Sequence, residues 1–175
     1  MIAYRDIAET AAKVMKRYDE SNPYRLAKAM GILLEYAPMG DCEGACKGFF
    51  MMKSRMKCIT INSDLQEELQ RIILAHEIGH AVLHASTVMA AFNEFKLFCG
   101  TNQLECEANV FAAETLLDDD SVKQALRSWN RTFFEMAAEL CVPPELLDFK
   151  CRTMKAKGIE VPESPIYAQG DFLKY

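Results

Sequence analysis

The chain has 175 residues, of which 50% are hydrophobic and 26% charged, enough apolar material to bury a real core in one domain. Its net charge of −5 speaks against nonspecific nucleic-acid binding, which depends on clustered lysine and arginine to neutralise phosphates. No apolar run reaches the roughly 18 residues of a membrane span, and no charged-then-apolar leader precedes Ala3. A cytoplasmic protein without a membrane partner is expected.

Tyr4 to Tyr18 reads as an amphipathic helix, with Ile7, Ala8, Ala11, Val14, Met15 and Tyr18 at helical spacing. Asn22-Pro23 starts a short second helix that runs through Met30 and is closed by Gly31. Ile32 to Tyr36, Gly48 to Met52 and Lys57 to Asn62 read as three strands of a small sheet, the last two joined by a basic turn. Lys53, Arg55 and Lys57 alternate there and are expected to form one solvated face. Ser63-Asp64 is placed to cap a long helix.

Further helices are expected from Leu104 onward, from Ser121 to Trp129, from Thr132 to Leu140 and from Pro144 to Lys155. Phe133, Phe134, Ala137 and Leu140 make a core stripe. Residues 1–157 form one expected domain, and the tail from Gly158 to Tyr175, with Pro162 and Pro165 and no periodicity, is expected to lie on its surface. A sharper alternative has the tail fold across a cleft with Asp171 near a metal. The fold class is α+β, with a three-stranded sheet packed on the long helix and a mostly helical C-terminal half. Seven cysteines, an odd number without an export signal, read as reduced thiols. Cys42 and Cys46 lack a matching pair at zinc-ribbon spacing.

The most informative stretch is His76-Glu77-Ile78-Gly79-His80. On a helix, residues i and i+4 project from one face, so His76 and His80 can grip one zinc ion at roughly 2.0–2.1 Å per nitrogen. Glu77 then stands beside the ion, placed to take a proton from an activated water and deliver it to a leaving amine. Ile72, Ile73, Ala75, Ile78, Val82 and Leu83 make this helix apolar nearly all round, and buried imidazoles there need partners. Gly79 costs a helix interior about 1 kcal/mol relative to alanine, so it asks for a reason such as close approach of substrate or of a neighbouring backbone. The bland alternative, two satisfied polar residues in an ordinary helix, gives none of these features a cause.

A catalytic zinc site takes three protein ligands and leaves a fourth position to water. His84, the remaining histidine, lies a further turn along and reads as a neighbour orienting the site or as a packed core residue. The third ligand is sought in Leu104-Glu105-Cys106-Glu107-Ala108-Asn109-Val110-Phe111-Ala112-Ala113-Glu114. Glu107 falls on the apolar stripe of Leu104, Ala108, Phe111 and Thr115, where a carboxylate needs a cation. Glu105 turns to a smaller face and reads as solvated, and Cys106 is a weaker thiolate alternative. Glu114, two turns beyond Glu107, is placed to orient a ligand histidine.

These residues resemble the ImmA/IrrE family of metallopeptidases. The resemblance rests on Leu74-Ala75-His76-Glu77-Ile78-Gly79-His80 ending at His84, on Glu107-Ala108-Asn109 with Phe111-Ala112-Ala113-Glu114-Thr115-Leu116-Leu117, and on the upstream Ile59-Thr60-Ile61-Asn62. It covers most of residues 25 to 118. It implies a zincin-like core, one Zn²⁺ held by His76, His80 and Glu107, and Glu77 as the base. It also implies a cytoplasmic regulatory protease of phage or mobile-element type that cuts a helix-turn-helix repressor. Leu116-Leu117-Asp118-Asp119 departs from the family's usual Leu-Leu-Met-Pro, leaving the exit from that helix open. The competing function is a metal-binding anti-repressor that sequesters its partner without cleavage, a role that gives Glu77 nothing to do.

Overall fold

The computed structural model describes residues 3–85, 102–126 and 131–173. The expected Trp129 end of one helix, and Cys99, lie outside them. Helix α1 spans Tyr4–Tyr18 and buries Ile7, Ala8 and Ala11. Helix α2 spans Pro23–Ala29; the Asn22 side chain accepts from the backbone N–H of Tyr24 and Arg25, and Pro23 takes the first turn, where its missing N–H costs nothing.

Three strands follow, β1 (Leu33–Ala37), β2 (Gly48–Lys53) and β3 (Met56–Asn62). Their order is β1-β3-β2, with β1 parallel and β2 antiparallel to β3. Ser54 and Arg55 link β2 to β3 with φ of 51° and 67°, the two left-handed residues that a tight hairpin turn requires. Ile59, Ile61 and Phe50 share one face and are buried. Gly48 lies on that face too, where an added Cβ would stand 2.7 Å from Ile73 Cγ2, so the sheet seats directly on the next helix.

That face corrects one expectation. Lys53 pairs with Met56 and Lys57 with Met52, which puts the two lysines on opposite faces. Lys57 turns inward and donates from Nζ to the carbonyl of Ala81 at 2.7 Å, closing an otherwise open carbonyl near a helix end.

Helix α3 runs Glu67–Leu83 and buries every residue from Ile72 to Gly79. Its N-cap is Gln66, not Ser63-Asp64. Those two residues turn the chain instead, where Asn62 Oδ1 accepts from Asp64 N and Asp64 Oδ2 from Gly40 N. The later helices are α4 (Asn102–Leu116), α5 (Asp119–Leu126), α6 (Phe133–Glu139) and α7 (Pro144–Ala156). Thr132 and Glu135 form a capping box on α6. Asp118 accepts from the N–H of Asp120 and Ser121, so the departure at Asp118-Asp119 starts a new helix.

Helix α4 is the centre of the molecule. It packs against α3 on one side and against α1 and α7 on others, and Ala108 through Ala113 are all fully buried. An added Cβ on Gly79 would lie 3.1 Å from Ala108 Cα and 3.1 Å from its carbonyl oxygen. Gly79 is therefore glycine because a neighbouring backbone comes close. The tail from Gly158 runs back over the body with Val161, Ala168, Gly170 and Leu173 buried. Among the described residues, no helix is long and apolar enough to cross a membrane.

Candidate metal centre

Helix α3 presents His76 and His80 from successive turns with Nε2 atoms 3.1 Å apart. Helix α4 brings Glu105 to the same point, its Oε2 standing 3.3 Å from His76 Nε2 and 3.7 Å from His80 Nε2. A tetrahedral ion with bonds of about 2.0–2.1 Å sets its ligand atoms about 3.3 Å apart, and the three spacings bracket that value. Two imidazole nitrogens and a carboxylate oxygen that converge in a buried place are a donor set suited to a cation. Among the described residues, His76, His80 and Glu105 form a group that could hold a metal ion.

Glu105 is 8% exposed. Its carboxylate stands against both imidazole nitrogens, where a cation would sit. Against the expectation for this stretch, Glu105 is buried rather than solvated, and it is Glu105 rather than Glu107 that faces the two imidazole nitrogens.

Glu107 lies at the end of a different chain. His84 Nε2 is 2.9 Å from Glu107 Oε2, His84 Nδ1 is 3.0 Å from His80 Nδ1, and Gln103 donates to Glu107 Oε1 at 2.8 Å. Burial lowers the pKa of His84 more than Glu107 raises it, so its ring is neutral and carries one N–H. Given to the Glu107 carboxylate, that proton leaves Nδ1 free to accept from His80. His80 then carries its proton on Nδ1 and turns the lone pair of Nε2 to the centre.

His76 is fixed in the same sense from the other side. Its Nδ1 lies 2.7 Å from Asn109 Oδ1, and Asn109 Nδ2 donates to the carbonyl of Gly170 at 2.7 Å. Asn109 is fully buried and was not singled out from the sequence. The signal was there: an asparagine inside an apolar helix is a poor helix former and must find partners.

Glu77 follows His76 on α3 and is buried at 7% exposure. Glu114 does not reach a histidine. Its two oxygens meet Lys150 Nζ at 2.7 Å and Lys157 Nζ at 2.5 Å, and Asp119 joins both lysines. Two turns along α4 carry it about 10 Å from Glu107, past the metal centre and into a buried ion network that ties α4 and α5 to α7.

A buried helix bearing His-Glu-Ile-Gly-His, completed by a carboxylate from a second helix, is the architecture of a metallopeptidase. The chain belongs to the M78 peptidase family, whose model, described as the IrrE N-terminal-like domain, matches residues 27–152. It is 34% identical over 147 residues to an immunity region protein 2 of Bacillus phage phi105, covering 84% of this chain and 90% of that one. It is 27% identical over 153 residues to the metallopeptidase ImmA of Bacillus subtilis strain 168, covering 83% and 84%. The chain is a metallopeptidase, which fits the donor set at its centre.

Proposed function

We propose that this protein is a zinc-dependent endopeptidase that cuts a helix-turn-helix repressor at one site, with His76, His80 and Glu105 as metal ligands and Glu77 as the base. The observation that carries the reading is the convergence of three donor atoms from α3 and α4, with both far imidazole nitrogens already occupied by Asn109 and His84. Imidazole and carboxylate donors in this number suit zinc and leave a fourth position open, as a catalytic rather than a structural site does. Zinc bound there supplies a Lewis acid and lowers the pKa of a held water to about 7.

The residues do the rest. Glu77 accepts the proton of the attacking water and passes it to the departing nitrogen as the peptide bond breaks. Asn109 and His84 hold the ligand rings against rotation while charge builds on the substrate oxygen. A repressor as substrate is supported by the family resemblance and by the likeness to a phage immunity-region protein. The net charge of −5 also suits a basic DNA-binding partner, which it would attract at a distance.

The test is co-expression with a helix-turn-helix repressor from the same genome, in wild-type and Glu77→Gln forms, with the repressor's intact mass as the readout. A discrete cut made by the wild type alone supports the proposal. An intact repressor retained by both forms supports the sequestering anti-repressor instead.

A further inference from the structure

We infer that the C-terminal segment 158–173 is a positioning element of the metal centre, acting on His76 through Asn109. The inference rests on the proposed ligand role of His76.

The chain of bonds has one direction. The Gly170 carbonyl can only accept, so the Asn109 side chain must turn its NH₂ toward it. The amide oxygen is thereby fixed toward His76 Nδ1, which must carry the proton. His76 Nε2 is left with its lone pair facing His80 and Glu105. A buried asparagine without the tail carbonyl could satisfy itself with either end toward His76. With it, one tautomer of His76 is selected before any metal arrives.

The tail is held firmly enough to impose this choice. The Arg152 guanidinium lies between the rings of Phe149 and Tyr167, at 4.3 Å and 4.5 Å from their centroids. Its Nη2 donates to the carbonyl of Ala168 at 3.0 Å and meets Asp148 Oδ2 at 2.6 Å, while Nη1 reaches Tyr4 Oη at 3.2 Å. The same Asp148 oxygen accepts from Ala168 N at 3.0 Å. Beyond Gly170, Phe172 stacks on Phe149 with centroids 5.9 Å apart, and Leu173 is buried. Gly170 is therefore gripped on both sides by groups on α7. The tail reaches His76 through the Gly170 carbonyl by way of Asn109.

The experiment is a thermodynamic cycle on the full chain. Phe172→Asp sets a carboxylate against Phe149 and releases the residues after Gly170; Ala168→Pro removes the N–H held by Asp148 and serves as an independent release. Each is made with Asn109 intact and with Asn109→Asp, whose carboxylate accepts from His76 but cannot donate to Gly170. Zinc affinity is read by chelator competition, and the His76 tautomer by ¹⁵N chemical shifts in the zinc-free protein.

Tail release is expected to weaken zinc binding by about 10- to 100-fold, the usual effect of losing a ligand's orienting partner, and to mix the His76 tautomers. In the Asn109→Asp background the same release is expected to change affinity less than about twofold. Equal losses in both backgrounds would mean that the tail supports the fold only, and an unchanged tautomer on release would overturn the inference. A wild-type protein that bound no zinc would instead sink the proposed function, whereas the tautomer measurement needs neither metal nor turnover.

Discussion

Gly79 and Ala108 set the distance between the two helices that carry the proposed metal ligands. A methyl at residue 79 would stand 3.1 Å from Ala108 Cα, its carbonyl oxygen at 3.1 Å and Phe111 Cβ also at 3.1 Å. These are backbone and near-backbone atoms of a fully buried helix and cannot swing aside. Gly79→Ala gains about 1 kcal/mol of helix propensity but must push α4 away, carrying Glu105 from the two histidines. The expected outcome is a zinc affinity lowered about tenfold together with a lower thermal midpoint. An alanine variant that is more stable and binds zinc normally would show that the helices have room to spare.

Glu77 is adjacent to His76, a proposed ligand, without being one of the three converging donors. Glu77→Gln keeps the shape of the side chain and removes its ability to accept a proton. Turnover of a cleaved partner should fall by about 100- to 10,000-fold, while bound zinc per chain stays unchanged. An active variant would assign the base to another group.

Lys150 is 1% exposed and bonds both Glu114 and Asp119. Lys150→Met keeps the length of the chain and leaves the two carboxylates to Lys157 alone, which should destabilise the fold by about 3–5 kcal/mol, as for other broken buried pairs. Urea unfolding measures this directly.

The same network gives a pH dependence. Burial raises the Asp119 carboxyl pKa, but Lys150 and Lys157 outweigh it and hold it below its ordinary value. A depressed folded pKa means that the group contributes its full stabilisation above the unfolded value of about 3.9, and that the contribution is lost as pH falls through the folded one. Asp119→Asn should therefore lower the urea midpoint at pH 6 and converge on the wild type toward pH 2. A constant difference across that range would remove Asp119 from the acid limb.

Much of the site was legible because His76, Glu77 and His80 are a local pattern. Their spacing fixes them on one helix whatever surrounds it, and the run of buried residues from Ile72 to Gly79 announced itself as an apolar helix. The third donor was not legible in the same way. Assigning Glu107 to the core assumed that α4 has one buried stripe, whereas it is packed by α3, α1 and α7 and buries nearly all its sides. The rotation of such a helix is set by its neighbours, here by the Gly79 contact, and two residues along a helix turn a side chain by about 200°. Local periodicity carries no record of that. The tail was opaque for another reason. It is held by a guanidinium between two rings and by backbone carbonyls, and neither leaves a repeat in the sequence.

In the proposed site, His76, His80 and Glu105 hold the metal while Glu107 acts through His84. Zinc content and affinity of Glu105→Ala and Glu107→Ala, measured side by side on folded protein, test it most directly. Glu105→Ala should purify with no stoichiometric zinc, and Glu107→Ala should retain one ion per chain with affinity reduced about 10- to 100-fold. The reverse pattern, with zinc lost from Glu107→Ala and kept by Glu105→Ala, would contradict the account.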